Sequence, residues 1–396
     1  MIKSFIQYVQ KHKKDVIIAA VLLAAAAAGA AFLIHKAVTI SIGFYNIPQP
    51  ISDELVYRIS TIQKKNIKFA FLTDKKPLPK DIPGTYDIFF SWNGAVCTNL
   101  TKKANPVPKN LTEFLPSAIQ KSVTINKKTY ALPLLLDHFE ISYYSALRKK
   151  EKRAIPQTLS ELEDYLRYIL KNTTADVPLC CAGADDRILS GLVSVLYESM
   201  YGSEKYAAAI EKIAKTGGDI EVLSNVIQKL KEWQSDGLLV NSWLSHSEKD
   251  VDFYMKERRC GVIFTTLSEH RAKPPVLIKY YDAQRFPAAD DKINHSLIAP
   301  ALNVMTFGKP AKTEKILESL ILTQNQTALS TQTQLAITSR QAVSHDMQAD
   351  DVRFWAASCA GGPVTDLASA AFTTEEARHS FAERIRKALE TGYVKS

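Results

Sequence analysis

The chain has 396 residues, of which 46% are hydrophobic and 23% charged. At roughly 150 residues per domain that allows two or three compact units, and the composition excludes a disordered chain, a collagen-like chain and a multi-span membrane protein. The net charge is +9, but residues 1–36 hold five lysines against Asp15, so only +5 is left for the other 360 residues. That excess is spread along the chain and gives no nucleic-acid footprint, so no nucleic-acid partner is expected.

Val16 to Ile34 is a 19-residue run without a charge. As a helix it rises about 28 Å, close to the bilayer core of roughly 30 Å. Lys3, Lys11, Lys13 and Lys14 precede it, and after Lys36 the next basic residue is Arg58. The excess of lysine before the run predicts residues 1–15 in the cytoplasm, 16–34 as one transmembrane signal anchor, and the main domain outside a cytoplasmic membrane. A cleaved secretory signal is the alternative. The long basic segment and the length of the apolar run favour an uncleaved anchor.

The rest of the chain alternates strands and helices. Strands are predicted at 37–45, 67–72 and 86–91, with a helix opened by Ser52, Asp53 and Glu54 between the first two. Such nearly continuous apolar strands suit a mostly parallel sheet covered on both faces. Residues 129–136 and 139–144 are extended, with Asp137 and His138 between them. Thr158 caps a helix, and further helices are expected at about 186–200, 203–215 and 220–235. Strands return at 261–266, 275–280 and 296–305, and helices at 312–324 and 374–391. The pattern fits two α/β lobes joined by several chain crossings.

Catalytic signatures are missing. There is no GxxxxGK, no GxGxxG, no GxSxG, no HExxH and no CxxC. Hence no catalytic residue, metal or cofactor is expected. Asp185 and Asp186 precede a helical run and read as a helix start. The five cysteines read as buried thiols; an exported domain could pair some of them, in a pattern the sequence does not give, although the adjacent Cys180 and Cys181 cannot bond each other without strain. Aromatics give the stronger signal. Tyr45 ends the first strand, and Trp92 with Asn93 ends the strand YDIFFS. In open α/β sheets the carboxyl ends of strands face the binding crevice. A ring beside an amide donor suits a sugar-like or peptide-like ligand.

Five stretches, in this order, carry a family resemblance. They are ISIGFY (40–45), YDIFFSW (86–92), TYALP (129–133) with ISYYS (141–145), PQTLSEL (156–162), and LIAP (297–300) followed later by QLAITSR (334–340). The chain resembles the extracellular solute-binding proteins that feed ABC importers, in the subgroup of the maltose- and oligosaccharide-binding proteins. The likeness covers about residues 37–395. It departs from the family pattern at Asn126–Lys127–Lys128 and at Ala336–Ser339, where the family has glycine-bearing turns. The resemblance implies an α/β, two-lobed periplasmic-binding-protein-like fold with a hinged cleft, preceded here by the transmembrane helix. Lobe one would be 37–138 plus 298–328, and lobe two 139–297 plus 329–396. It implies ligand-binding roles for Tyr45, Trp92, Asn93, Asp137, Thr266 and Trp355. It further implies a carbohydrate or similar polar solute, with delivery to an ABC permease in the membrane. The alternative is a tethered sensor or scaffold that uses the same fold to engage a membrane protein.

Overall fold

The computed structural model describes residues 21–22, 39–62, 66–76, 78–290 and 292–391. The expected cytoplasmic segment and, apart from Val21 and Leu22, the expected anchor lie outside the described residues. Among the described residues no helix is long and apolar enough to cross a membrane.

Strands β1 (Ile40–Tyr45), β2 (Ile67–Leu72) and β3 (Ile88–Trp92) are parallel, with helix α1 (Gln49–Ile62) between the first two. Their aromatics set the packing. Phe44 stacks on Phe90 at 4.9 Å and on Phe71 at 5.4 Å. A short hairpin, β4 (Thr124–Ile125) with β5 (Lys128–Thr129), follows, and then β6 (Leu132–Leu136). The hairpin turn uses positive φ at Asn126 and Lys127, the positions where the sequence departs from the family's glycines.

After β6 the chain enters a second body. It holds β7 (Phe139–Tyr144), helix α2 (Leu159–Asn172), β8 (Val177–Cys181), helix α3 (Asp186–Lys215), helix α4 (Ser224–Ser235), β9 (Cys260–Thr266), the short helix α5 (Leu267–Ala272) and β10 (Tyr281–Gln284). Its sheet runs β10-β7-β9-β8. Every residue of β8 and β9 is buried, which explains their continuous apolar sequence. Thr158 caps α2 by accepting from the Glu161 amide, as its spacing predicts.

The chain then returns through β11 (Leu297–Ile298) to β12 (Ala301–Thr306), followed by α6 (Pro310–Ile321), α7 (Thr323–Thr333), β13 (Ala336–Ile337) and α8 (Met347–Ser358). These complete a six-stranded first sheet in the order β13-β6-β12-β3-β1-β2. It crosses once more through β14 (Pro363–Val364) to α9 (Leu367–Ala371) and α10 (Glu375–Thr391), which pack in the second body. β11 and β14 pair in parallel, so the second and third crossings form one ribbon. Residues 137–138 are the first crossing.

Three expectations need correction. The first sheet is mixed, because β12 runs antiparallel to both β3 and β6. Residues 329–359 were expected in lobe two, yet β13 pairs with β6, and Ala349, Val352 and Ala356 of α8 join the first core. The segment QLAITSR is therefore an edge of the first sheet, and the third crossing lies near 359–363. Residues 275–280 were expected as a strand. Pro275–Ile278 is instead a short helix opened by proline, whose fixed φ suits a first helical turn. The strand is displaced to β10. The helices expected at 186–200 and 203–215 are present as the two arms of α3, which meet at Gly202, where φ is +75° and the backbone is not helical. A Cβ there would stand 2.7 Å from the Asn294 carbonyl oxygen. All five cysteines are buried free thiols.

Candidate functional site

A cleft of about 1040 Å³ lies between the two bodies. Its first wall is built from strand ends. β1 delivers Tyr45 and Asn46, β2 delivers Leu72 and leads to Asp74, and β3 delivers Trp92 and Asn93. The strands are parallel and in register, with Tyr45 opposite Leu72 and Ser91, so their carboxyl ends open on the same side. Asn93 is oriented by the return strand. Its Oδ1 accepts from the Ala301 amide at 2.9 Å, which turns its NH2 away as a donor. The indole of Trp92 is half-buried against the first core and lines the cleft.

The second wall is built from helix starts. Asp185 caps α3, accepting from the amides of Arg187 and Ile188 at 2.8 and 2.9 Å, so the positive end of that helix is satisfied by its own chain. Asp186 and Arg187 follow in the first turn. From α10 come His379, Glu383 and Arg386. His379 Nδ1 lies 2.7 Å from Asp186 Oδ2, and this contact holds the imidazole above its ordinary pKa. Asp186, His379 and Glu383 bring possible metal-donor atoms within 4.8 Å of one another. Arg386 ion-pairs with both Asp186 and Glu383, so its single charge offsets one of these two carboxylates.

Asp137 stands where the walls meet. It is 3% exposed. Its carboxylate accepts from the Ser268 amide at 2.9 Å and the Ser268 hydroxyl at 2.7 Å, and it ion-pairs with Arg187. Its own amide donates to Pro300 at 2.9 Å, tying the first crossing to the second. The carboxylate is engaged with protein on both oxygens, and Arg187, 43% exposed, carries the charge into the cleft.

The walls also touch across the cleft. The Tyr45 hydroxyl donates to the Thr373 carbonyl at 3.0 Å, and burial, with Asp74 nearby, pushes that phenol's pKa up. Asp74 ion-pairs with Arg378 and accepts from Asn46 at 2.9 Å. Gly94 has φ +143°, and a Cβ there would stand 2.5 Å from the Ser369 carbonyl oxygen of α9. Only glycine permits this approach.

The structure thus brings Tyr45, Trp92, Asn93 and Asp137 together in the cleft. It does not bring the other two expected residues there. Thr266 is fully buried and caps α5, its hydroxyl accepting from the Glu269 amide at 3.2 Å. Trp355 sits on α8 and packs on the His138 ring at 5.5 Å, behind the crossing. Sequence reasoning missed Arg187, His379 and Arg386. Their signal was faint, since a charged first turn is ordinary for any exposed helix.

No protein-family model matches the sequence, and no curated protein matches it. Solved structures do match. The bacterial solute receptor AcbH, described as having an exclusive preference for β-D-galactopyranose, superimposes with TM-score 0.75 at 12% identity, over 90% of this chain and 93% of that one. The binding protein MsmE from Bacillus subtilis, in an open conformation, gives 0.71 at 11% identity, covering 90% and 94%. A sugar transporter from Bacillus licheniformis in complex with stachyose gives 0.63 at 14% identity, covering 90% and 96%. The fold is that of the two-lobed α/β solute-binding proteins, which the sequence resemblance had implied. At these identities the likeness is one of fold.

Proposed function

We propose that this chain is an extracytoplasmic solute-binding protein that captures a neutral carbohydrate between its lobes. In this reading it is held by an N-terminal membrane anchor and passes its cargo to an ABC permease, with no turnover of the ligand. The observation that carries the reading is the pairing of a half-buried indole and an oriented amide donor on one wall with charged hydrogen-bonding groups on the other. Rings cover the apolar face of a sugar, and planar charged groups address its hydroxyls. The charge balance points to a neutral solute. Asp74, Asp137 and Asp186 are matched by Arg378, Arg187 and Arg386. Asp185, Asp366, Glu375 and Glu383 then leave the cleft with an acidic excess that disfavours an anion. The sugar ligands of similarly folded receptors support the same class.

The test is thermal melting of the full-length chain against neutral sugars, oligosaccharides, amino acids and peptides. A ligand at 100 times its dissociation constant adds about 2.7 kcal/mol of stability. For a chain of this size that raises the melting temperature by several degrees. A shift with one neutral sugar class supports the reading. Shifts confined to amino acids or peptides overturn the carbohydrate assignment, and silence across the panel overturns small-molecule capture in favour of the scaffold alternative.

A further inference from the structure

A second cavity, of about 350 Å³, lies behind the hinge. It is separate from the cleft, and residues of all three crossings line it. His138 comes from the first, Ser296–Ile298 from the second, and Ser358–Ala360 from the third. Its remaining wall is lobe two, chiefly the middle of α3 and the segment after β10. Any rotation of one lobe against the other moves these crossings, and so changes the shape of this cavity together with that of the cleft.

Its chemistry differs from that of the cleft. Glu198 is buried at 5% exposure, and it is answered on both oxygens. Oε1 accepts from the Ser296 amide at 2.6 Å, and Oε2 lies 3.1 Å from His295 Nδ1. The other nitrogen of His295 faces the Asp290 carbonyl at 2.9 Å. Both ring nitrogens therefore face acceptors, so both carry protons and the ring is cationic. Glu198 with His295 is a neutral pair. That leaves Arg285, whose guanidinium lies against the Cys359 thiol and makes no ion pair among the described residues. His138 also lines the cavity, but at 1% exposure its unpartnered Nδ1 is closed off from it. A cavity whose one unanswered charge among the described lining residues is a guanidinium is suited to a small anion.

We propose that this rear cavity is a second binding site, for a small oxyanion such as phosphate or a carboxylate, and that its occupancy is coupled to the hinge. Arg285 supplies the fixed charge and the fork of donors, within walls made by the three crossings. Because all three crossings wall the cavity, its ligand binds the open and closed arrangements unequally and shifts the population between them. Linkage then makes the effect reciprocal, so cleft ligand and oxyanion each alter the affinity of the other by the same factor. The site itself stands apart from the carbohydrate reading; only the coupling rests on it.

The experiment is an equilibrium titration of the full-length chain with inorganic phosphate and, separately, with acetate, followed by thermal melting in the absence of sugar. Saturable stabilisation of the wild type by either is expected, and which one acts distinguishes the two sources of oxyanion. Arg285→Met should weaken that ligand about 10-fold or more, with partial recovery in Arg285→Lys. Arg285 is exposed, so its loss leaves the core intact. Ser358→Phe, which places a large side chain among the lining atoms, provides an independent block. Absence of a saturable shift with both anions overturns the site, as does an equal shift in wild type, Arg285→Met and Ser358→Phe. Phosphate or acetate binding that leaves the sugar dissociation constant unchanged overturns the coupling alone.

Discussion

The two walls of the cleft are made in different ways. Lobe one presents strand ends, and lobe two presents helix starts. A strand end in a parallel sheet is fixed by its register, so Tyr45, Trp92 and Asn93 have little freedom of position. A helix start presents charged side chains that must be held by one another, as Asp186, His379 and Arg386 are. The difference predicts a division of labour. The strand-end wall provides most of the affinity, and the helix-start wall provides selectivity against charge and part of the closing contact.

The largest expected effect breaks the strand-end wall. In the proposed reading Trp92 is the ring set against the sugar, so Trp92→Ala should cost about 3 kcal/mol of binding, a loss of more than 100-fold, measured by calorimetric titration. A loss below tenfold would contradict the division. The boundary between the walls can be broken by protons instead. Burial depresses the His138 pKa to about 4, below the roughly 6.5 of an unfolded histidine. Between these values the unfolded chain binds a proton that the folded chain refuses. Stability is therefore fully present above pH 6.5 and falls as pH drops toward 4, by on the order of 3 kcal/mol. His138→Gln should flatten that limb in urea melts. The raised pKa of His295 works in the opposite sense, because its contact with Glu198 adds stability that is present below about 6.5 and lost as pH rises.

A smaller effect tests the join. Asp137→Ala leaves Arg187 without its counter-charge and Ser268 without its acceptor, and should cost about 2 kcal/mol of folding stability. The exposure of Arg187 keeps the cost below that of a fully buried pair. The smallest effect sharpens the helix-start side. Arg378→Ala removes the tie to Asp74 across the cleft, a partly exposed pair worth about 0.5–1 kcal/mol, so sugar affinity should fall only a few-fold.

The same difference explains how much could be read from sequence. Strand ends announce themselves, since an apolar run stops and an aromatic or amide follows, and three of the four expected residues found in the cleft come from such ends. Asp137 was legible as the polar break between two buried strands. Thr266 also ends a strand, but β9 leads straight into α5, whose first turn takes the hydroxyl as a cap. Trp355 was placed by its chemistry alone, and α8 carries it behind the hinge because the helix packs with the first core. That packing also explains why the expected lobe boundary was wrong. β13 is two residues long, too short to show a strand period, yet its pairing with β6 holds residues 329–359 in the first lobe. The charged residues of α10 lie almost two hundred positions from Asp186, and no local pattern links them.

The most direct test of the central claim is calorimetric titration of the full-length chain, at neutral pH, with a neutral sugar from the thermal panel and with its uronic acid counterpart. One site is expected for the neutral sugar, with binding of the uronate weaker by about tenfold because the cleft carries excess carboxylate. Equal or tighter binding of the uronate, or no binding of any neutral sugar, would contradict a cleft built for an uncharged carbohydrate.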